Sequence, residues 1–163
     1  MLEYDFDESI GYWLTVTTQA MHRALTDELA PHGVTYRQAQ VLAWLAVEGE
    51  SATADPPGAG GLSQSELAAK MLVEPPTLVG ILDRMERDGW ITRNSCSSDR
   101  RKKLVRPTAA AEPAWEKFTE CARRVRARAT EGLSEEEVET LKRLLGQVFH
   151  NIETRPATVE ILT

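Results

Sequence analysis

Between residues 93 and 106 the chain carries six cationic side chains, Arg93, Arg100, Arg101, Lys102, Lys103 and Arg106, against one carboxylate, Asp99, a local charge of +5. Such a cluster attracts phosphate, and guanidinium groups in particular can meet phosphate oxygens in pairs. The surrounding protein is acidic, with a formal net charge of −6 and an isoelectric point near 5.2, so it does not coat polyanions indiscriminately. An arginine at the tip of this segment has the shape and charge to enter a narrow, electronegative minor groove, a readout that favours A/T-rich DNA. Arg101 is assigned that role. Asp99, which phosphate would repel, is read as holding that arginine or the tip backbone in place. A run of charge alone is ordinarily a solvated face, so the elements around it must decide.

Trp90 to Arg93 reads as a strand, Lys103 to Pro107 as its partner, and Asn94 to Asp99 as a polar tip, which makes a long exposed hairpin. Two short helices precede it. Ser63-Gln64-Ser65-Glu66 is a capping box that opens the first, which runs to about Met71. After Leu72-Val73-Glu74 the second opens on Pro75 and Pro76, tolerated in a first turn whose amides have no partners, and Gly89 closes it. Its stripe of Leu78, Ile81, Leu82 and Met85 belongs inside, which turns Pro76, Val79, Gly80, Asp83, Arg84 and Arg87 outward with Thr77 on the flank.

Two short helices followed by a basic hairpin form a winged helix-turn-helix, in which the second helix enters the major groove. Thr77 can bond a phosphate or a base edge, Val79 can meet a thymine methyl, and Arg84 can reach phosphate or guanine. The DNA-contacting set is therefore Ser63 and Ser65, then Pro75, Pro76, Thr77, Val79, Gly80 and Arg84, and in the wing Arg93, Ser98, Asp99, Arg100, Arg101 and Lys103.

Outside this lobe the pattern is helical. About Asp7 to Leu29 form a first helix ended by Pro31 and Gly33, and about Thr35 to Val47 a second with Thr35 as its N-cap. Residues 49–61, rich in Gly, Pro, Ala and Ser, read as a surface loop. Thr108 caps a long helix carrying Trp115, Phe118, Ala122, Val125 and Ala129, with Pro113 expected to bend its first turns and Gly132 to end it. Ser134 to Glu137 is another capping box, ahead of Val138, Leu141, Leu145, Val148 and Ile152. Both terminal helices carry narrow apolar seams at alternating three and four residue steps, which suit pairing across a two-fold axis. The fold class is mainly α, a winged helix-turn-helix lobe (35–107, recognition helix about 75–88, wing about 90–107) between dimerisation segments 1–34 and 108–163.

Other chemistries are poorly represented. His22, His32 and His150 are scattered without ligand spacing, no nucleophile elbow or phosphate loop is present, and Glu135-Glu136-Glu137 reads as first-turn carboxylates favoured by a helix dipole. An enzyme, a metal site and a cofactor are not expected. Cys96, among cations that would lower its thiol pKa, offers a redox-sensing alternative; Cys121 falls beside an apolar seam. A winged helix that binds a protein partner instead of DNA is the other alternative. The acidic start is no secretory signal and no apolar run approaches membrane length, so the reading is cytoplasmic.

The stretch LSQSELAAKMLVEPPTLVGILDRMERDGWITRNSCSSDRRKKLVRPT, with Asp99-Arg100-Arg101 in its wing, resembles the MarR regulators. EPPTLV, Cys96 to Arg101 ahead of Glu112-Pro113, and His150-Asn151-Ile152 resemble the SlyA-like branch more narrowly. The resemblance implies a triangular homodimer joined through its N- and C-terminal helices, acting at pseudo-palindromic operators as a repressor or as an antagonist of other repressors. It also implies an aromatic or phenolic effector in a crevice, for which Trp13, Thr17, Met21, Tyr36, Arg37 and Trp44 are the candidates, with His22 or His32 nearby. The redox branch of the family uses a first-helix cysteine that this chain lacks. One departure is Gly80, where SlyA-like sequences commonly carry arginine; it removes a possible guanine contact.

Overall fold

The computed structural model describes residues 8–49, 61–95 and 102–153. The chain divides into two compact units, Met1–Val125 and Arg126–Thr163. The wing-tip residues Cys96, Ser98, Asp99, Arg100 and Arg101, and most of the predicted 49–61 loop, lie outside the described residues.

In the first unit, α1 (Ile10–Leu29) starts where the Ser9 hydroxyl accepts from the Tyr12 amide. A 3-10 turn, Ala30–His32, then ends on Gly33 at φ 69°, a left-handed backbone that favours glycine. Thr35 caps α2 (Tyr36–Gly49): its Oγ1 accepts from the Gln38 amide at 3.3 Å, and Gln38 Oε1 accepts from the Thr35 amide at 2.9 Å. This reciprocal box satisfies two amides that a helix start leaves unpaired.

Ser63 plays two parts. It is the second residue of β1 (Leu62–Ser63), a strand too short for the sequence pattern to show, and it is the N-cap of α3 (Gln64–Met71). The Ser63 amide donates to Glu66 Oε2 at 2.8 Å while the Glu66 amide donates to Ser63 Oγ at 3.2 Å. Those hydrogen bonds hold the Glu66 carboxyl below its ordinary range. The turn after α3 is made by Leu72 at φ 51°, a left-handed conformation in a residue with a Cβ, and it leads into α4 (Pro75–Arg87).

After Gly89, at φ 78°, comes β2 (Ile91–Ser95), antiparallel to β3 (Lys103–Pro107) with Arg93 opposite Val105 and Ser95 opposite Lys103. β1 adds to the other side of β3, Leu62 opposite Val105, so the sheet order is β1-β3-β2. One core cluster holds Leu67 of α3, Leu78, Ile81, Leu82 and Met85 of α4, Ile91 of β2 and Val105 of β3, together with Val41, Leu42 and Leu45 of α2. The sheet is small, but it anchors the wing to the helices by shared apolar burial.

Thr108 does not begin the long helix. It caps a separate 3-10 turn, Ala109–Ala111, and α5 (Glu112–Ala129) opens at Glu112. Pro113 is thus the second residue of α5, where a missing amide costs nothing, instead of bending a helix already under way. Cys121 is buried, with its sulfur 3.4 Å from the Glu28 carbonyl, and Arg124 binds the Glu28 carboxylate at 2.8 Å beside it.

The second unit is α6 (Glu135–Glu153), preceded by Gly132 at φ 83° and a box in which Ser134 and Glu137 exchange hydrogen bonds. No side chain of α6 is buried, although Leu141, Leu144, Leu145, Phe149 and Ile152 are all exposed along it.

Candidate nucleic-acid interface

α4 is amphipathic because its apolar residues step by three and four. Leu78, Ile81, Leu82 and Met85 are at most 4% exposed, while Pro75, Pro76, Thr77, Val79, Gly80, Asp83, Arg84 and Arg87 face solvent. Every α4 residue assigned to DNA is therefore on the open face, with Pro75, Pro76 and Thr77 at the helix N-terminus. Arg84 and Arg87, in the last turn, also suit the negative end of the helix dipole. Ser65, on the first turn of α3, is exposed; Ser63 is 4% exposed and engaged in its capping box, so its hydroxyl is turned inward.

Gly80 sits in the middle of the open face, and a Cβ built there meets no atom within 4 Å. Packing of the chain does not require glycine at this position. Gly80→Ala is expected to stabilise the helix by about 1 kcal/mol, read as a higher midpoint in thermal or urea unfolding. An unchanged or lower midpoint would mean that the backbone at 80 is not ordinary helix.

The wing is tied to α4 at its root. The Trp90 amide donates to the Met85 carbonyl at 2.8 Å, the Thr108 amide to the Trp90 carbonyl at 2.9 Å, and Thr108 Oγ1 to the Gly89 carbonyl at 2.5 Å. Lys103 is exposed, its Nζ 3.0 Å from Ser95 Oγ across the hairpin. Lys102 is exposed as well. Arg93 lies elsewhere: its guanidinium is folded onto α4, 2.7 Å from Asp83 and 2.5 Å from Glu86. Hydrogen bonds from Arg93 lower the Glu86 carboxyl, and Glu86 in turn raises the already basic Arg93. The part played by Glu86 was not foreseen. It follows from the tight Gly89 turn, which returns the strand alongside the helix.

The proposed effector residues lie on α1 and α2. Trp13 and Met21 are exposed on α1, and Thr17 with them. Tyr36 packs on His22 with ring centroids 4.5 Å apart, and burial pushes its phenol up against the opposing pull of Arg37. Trp44, two turns further along α2, instead receives Lys70 of α3 at 4.9 Å from its ring. A cleft of about 360 Å3 is lined by other residues: Leu42 and Ala46 of α2, Pro107 to Ala109 after the wing, and Ala111, Glu112 and Trp115 at the start of α5. No periodicity marks these residues as a group, because the cleft is made by a strand end, a 3-10 turn and two helices.

Among the described residues no group of three His, Cys, Asp or Glu side chains is placed to hold a metal ion, and no helix is long and apolar enough to cross a membrane.

Residues 59–103, which include β1, α3, α4 and β2 and end at the first residue of β3, match the MarR family. The chain superposes on wild-type apo MarR from E. coli with a TM-score of 0.72 at 25% identity, covering 86% of this chain and 96% of that one. The fold is the MarR winged-helix fold. A MarR family transcriptional regulator from Rhodococcus sp. RHA1 aligns with a TM-score of 0.72 at 23% identity, over 90% of this chain and 97% of its own. The transcriptional repressor CouR, in a structure bound to a 23-mer DNA duplex, aligns with a TM-score of 0.70 at 24% identity, over 90% of this chain and 99% of its own. The MarR match falls on the segment that carries the open face of α4 and the wing root.

Proposed function

We propose that this chain is a MarR-family transcriptional regulator, of the SlyA-like branch, that binds duplex DNA as a homodimer. The observation that carries the reading is α4: one face locked into the core and the opposite face presenting Thr77, Val79, Gly80 and Arg84, with a cationic wing attached at its C-terminal end. α4 enters the major groove while the wing follows the adjacent minor groove, Lys103 meeting phosphate and Arg101 at the tip. Repression follows if the operator overlaps a promoter. Support for a second copy comes from the exposed apolar residues of α6, and separately from Ile10 and Trp13 on α1, 63% and 53% exposed, which water disfavours.

A small aromatic or phenolic effector belongs to the same proposal. The cleft beside Trp115 is apolar apart from the Glu112 carboxylate and the Thr108 hydroxyl. A carboxylate on its wall repels an anion, so a neutral phenol suits it better than an aromatic acid. An effector acts only through its differential affinity for DNA-competent and incompetent forms.

The test is selection of sites from random duplexes by the purified protein at moderate salt, alongside Arg101→Ala. The expected result is an A/T-rich pseudo-palindrome with half-sites about 10 bp apart, weakened or lost in the variant. Gly80→Arg is expected to change the selected consensus. No enrichment by folded protein would overturn the DNA reading, and a single non-palindromic site would overturn the dimer.

A further inference from the structure

Resting on the DNA-binding reading, we propose that Arg93 serves DNA binding by pairing with both Asp83 and Glu86 on α4, cutting their combined charge from −2 to −1 and so lowering the repulsion this surface offers the phosphates, without itself touching DNA. Three observations meet here. Asp83 is on the open face of α4, one turn on from Val79 and Gly80 and next to Arg84, and its side chain is 55% exposed. A free carboxylate there would stand within a Debye length of the phosphate backbone and repel it. Arg93 is turned away from solvent, with a side chain 20% exposed.

Its Nε and one terminal nitrogen are committed. One terminal nitrogen spans Asp83 Oδ1 at 2.7 Å and Glu86 Oε2 at 2.5 Å, Nε reaches Glu86 Oε2 at 3.0 Å, and the backbone amide of Arg93 donates to Glu86 Oε1 at 3.1 Å. Both oxygens of Glu86 are thus engaged by one strand residue. Gln64 and Lys103 line the same hollow of about 290 Å3 as Glu86 and Arg93, which leaves the lysine, not the arginine, as the cation of this hollow facing outward. Lysine could not replace this geometry fully, since the arginine fork reaches two carboxylates at once.

The experiment uses the full chain and the duplex enriched by the wild type, with affinity measured by fluorescence anisotropy at about 0.1 M salt. Arg93→Gln is expected to weaken binding about tenfold or more, because Asp83 on the open face and Glu86 beside it lose their shared counter-charge. Adding Asp83→Asn and Glu86→Gln to it is expected to bring affinity back to within about threefold of wild type. Rescue by deleting the partners is something neither a phosphate contact nor a purely mechanical tie would give. A triple variant as weak as Arg93→Gln alone would overturn the proposal and make Arg93 a direct contact or a tether; an Arg93→Gln variant that binds like wild type would overturn it too. Where Arg93→Gln melts below the assay temperature, Arg93→Lys keeps the charge and is expected to bind within about threefold of wild type, and a tenfold loss there would count against charge cancellation. Failure of the wild type to enrich any duplex would instead defeat the DNA reading itself, before any variant is compared.

Discussion

Raising the salt from about 50 mM to about 200 mM is expected to weaken the complex with the selected duplex by about a thousandfold or more. The reason lies in where the positive charge sits. With a net charge of −6 the chain gains nothing from bulk attraction, so affinity must come from the few cations held against phosphate: Arg84 and Arg87 on α4, Lys102 and Lys103 in the wing, and the arginines at 100 and 101. Two copies with three to five phosphate contacts each would displace roughly six to ten counterions, and each contributes a slope of about −0.9 in log affinity against log salt. Anisotropy titrations at five or six salt concentrations give that slope directly. A slope shallower than about −2 would point to a protein partner for the winged helix in place of DNA. The expected steepness also bears on specificity: an acidic protein with a local cationic patch loses its non-specific binding first, so selected sites should stand out more clearly at moderate salt.

The helix-turn-helix was legible in the residues because its signals are local. A Ser63 and Glu66 pair three apart, prolines at 75 and 76, a stripe of Leu78, Ile81, Leu82 and Met85, and Gly89 at the end each reflect interactions within one or two turns, and the structure uses each of them. What could not be read depends on residues far apart in the chain. β1 is two residues long, too short for alternation to show, and exists because Leu62 meets Val105. The cleft beside Trp115 needs α2 and α5 to be brought together. Arg93 falls between these cases: counted along the chain it is one of six wing cations, but the tight turn at Gly89 returns it to Glu86 and Asp83. Pro113 departs from the sequence expectation for a local reason, since the boundary between a 3-10 turn and α5 moves it from a helix interior to a helix start.

Leu82→Ala should lower the stability of the folded chain by about 3 kcal/mol, within the 2–5 kcal/mol range for buried leucines, and its melting midpoint by roughly 10 °C. Leu82 has no exposed surface and belongs to the same cluster as Leu67, Met85, Ile91 and Val105, so truncation leaves a void that α3, α4 and the sheet must either keep or close at a cost in packing. Val79→Ala is the matched control on the same helix. Val79 is 41% exposed, so its truncation is expected to change stability by no more than about 0.5 kcal/mol while weakening binding to sites that place a thymine methyl against it. Thermal melts and anisotropy on both variants separate the two faces: Leu82→Ala should lose stability yet, well below its midpoint, bind the selected duplex with nearly unchanged affinity, and Val79→Ala should do the reverse. If Val79→Ala melted as early as Leu82→Ala, the helix would be buried on both faces, and α4 would have no side left with which to read DNA.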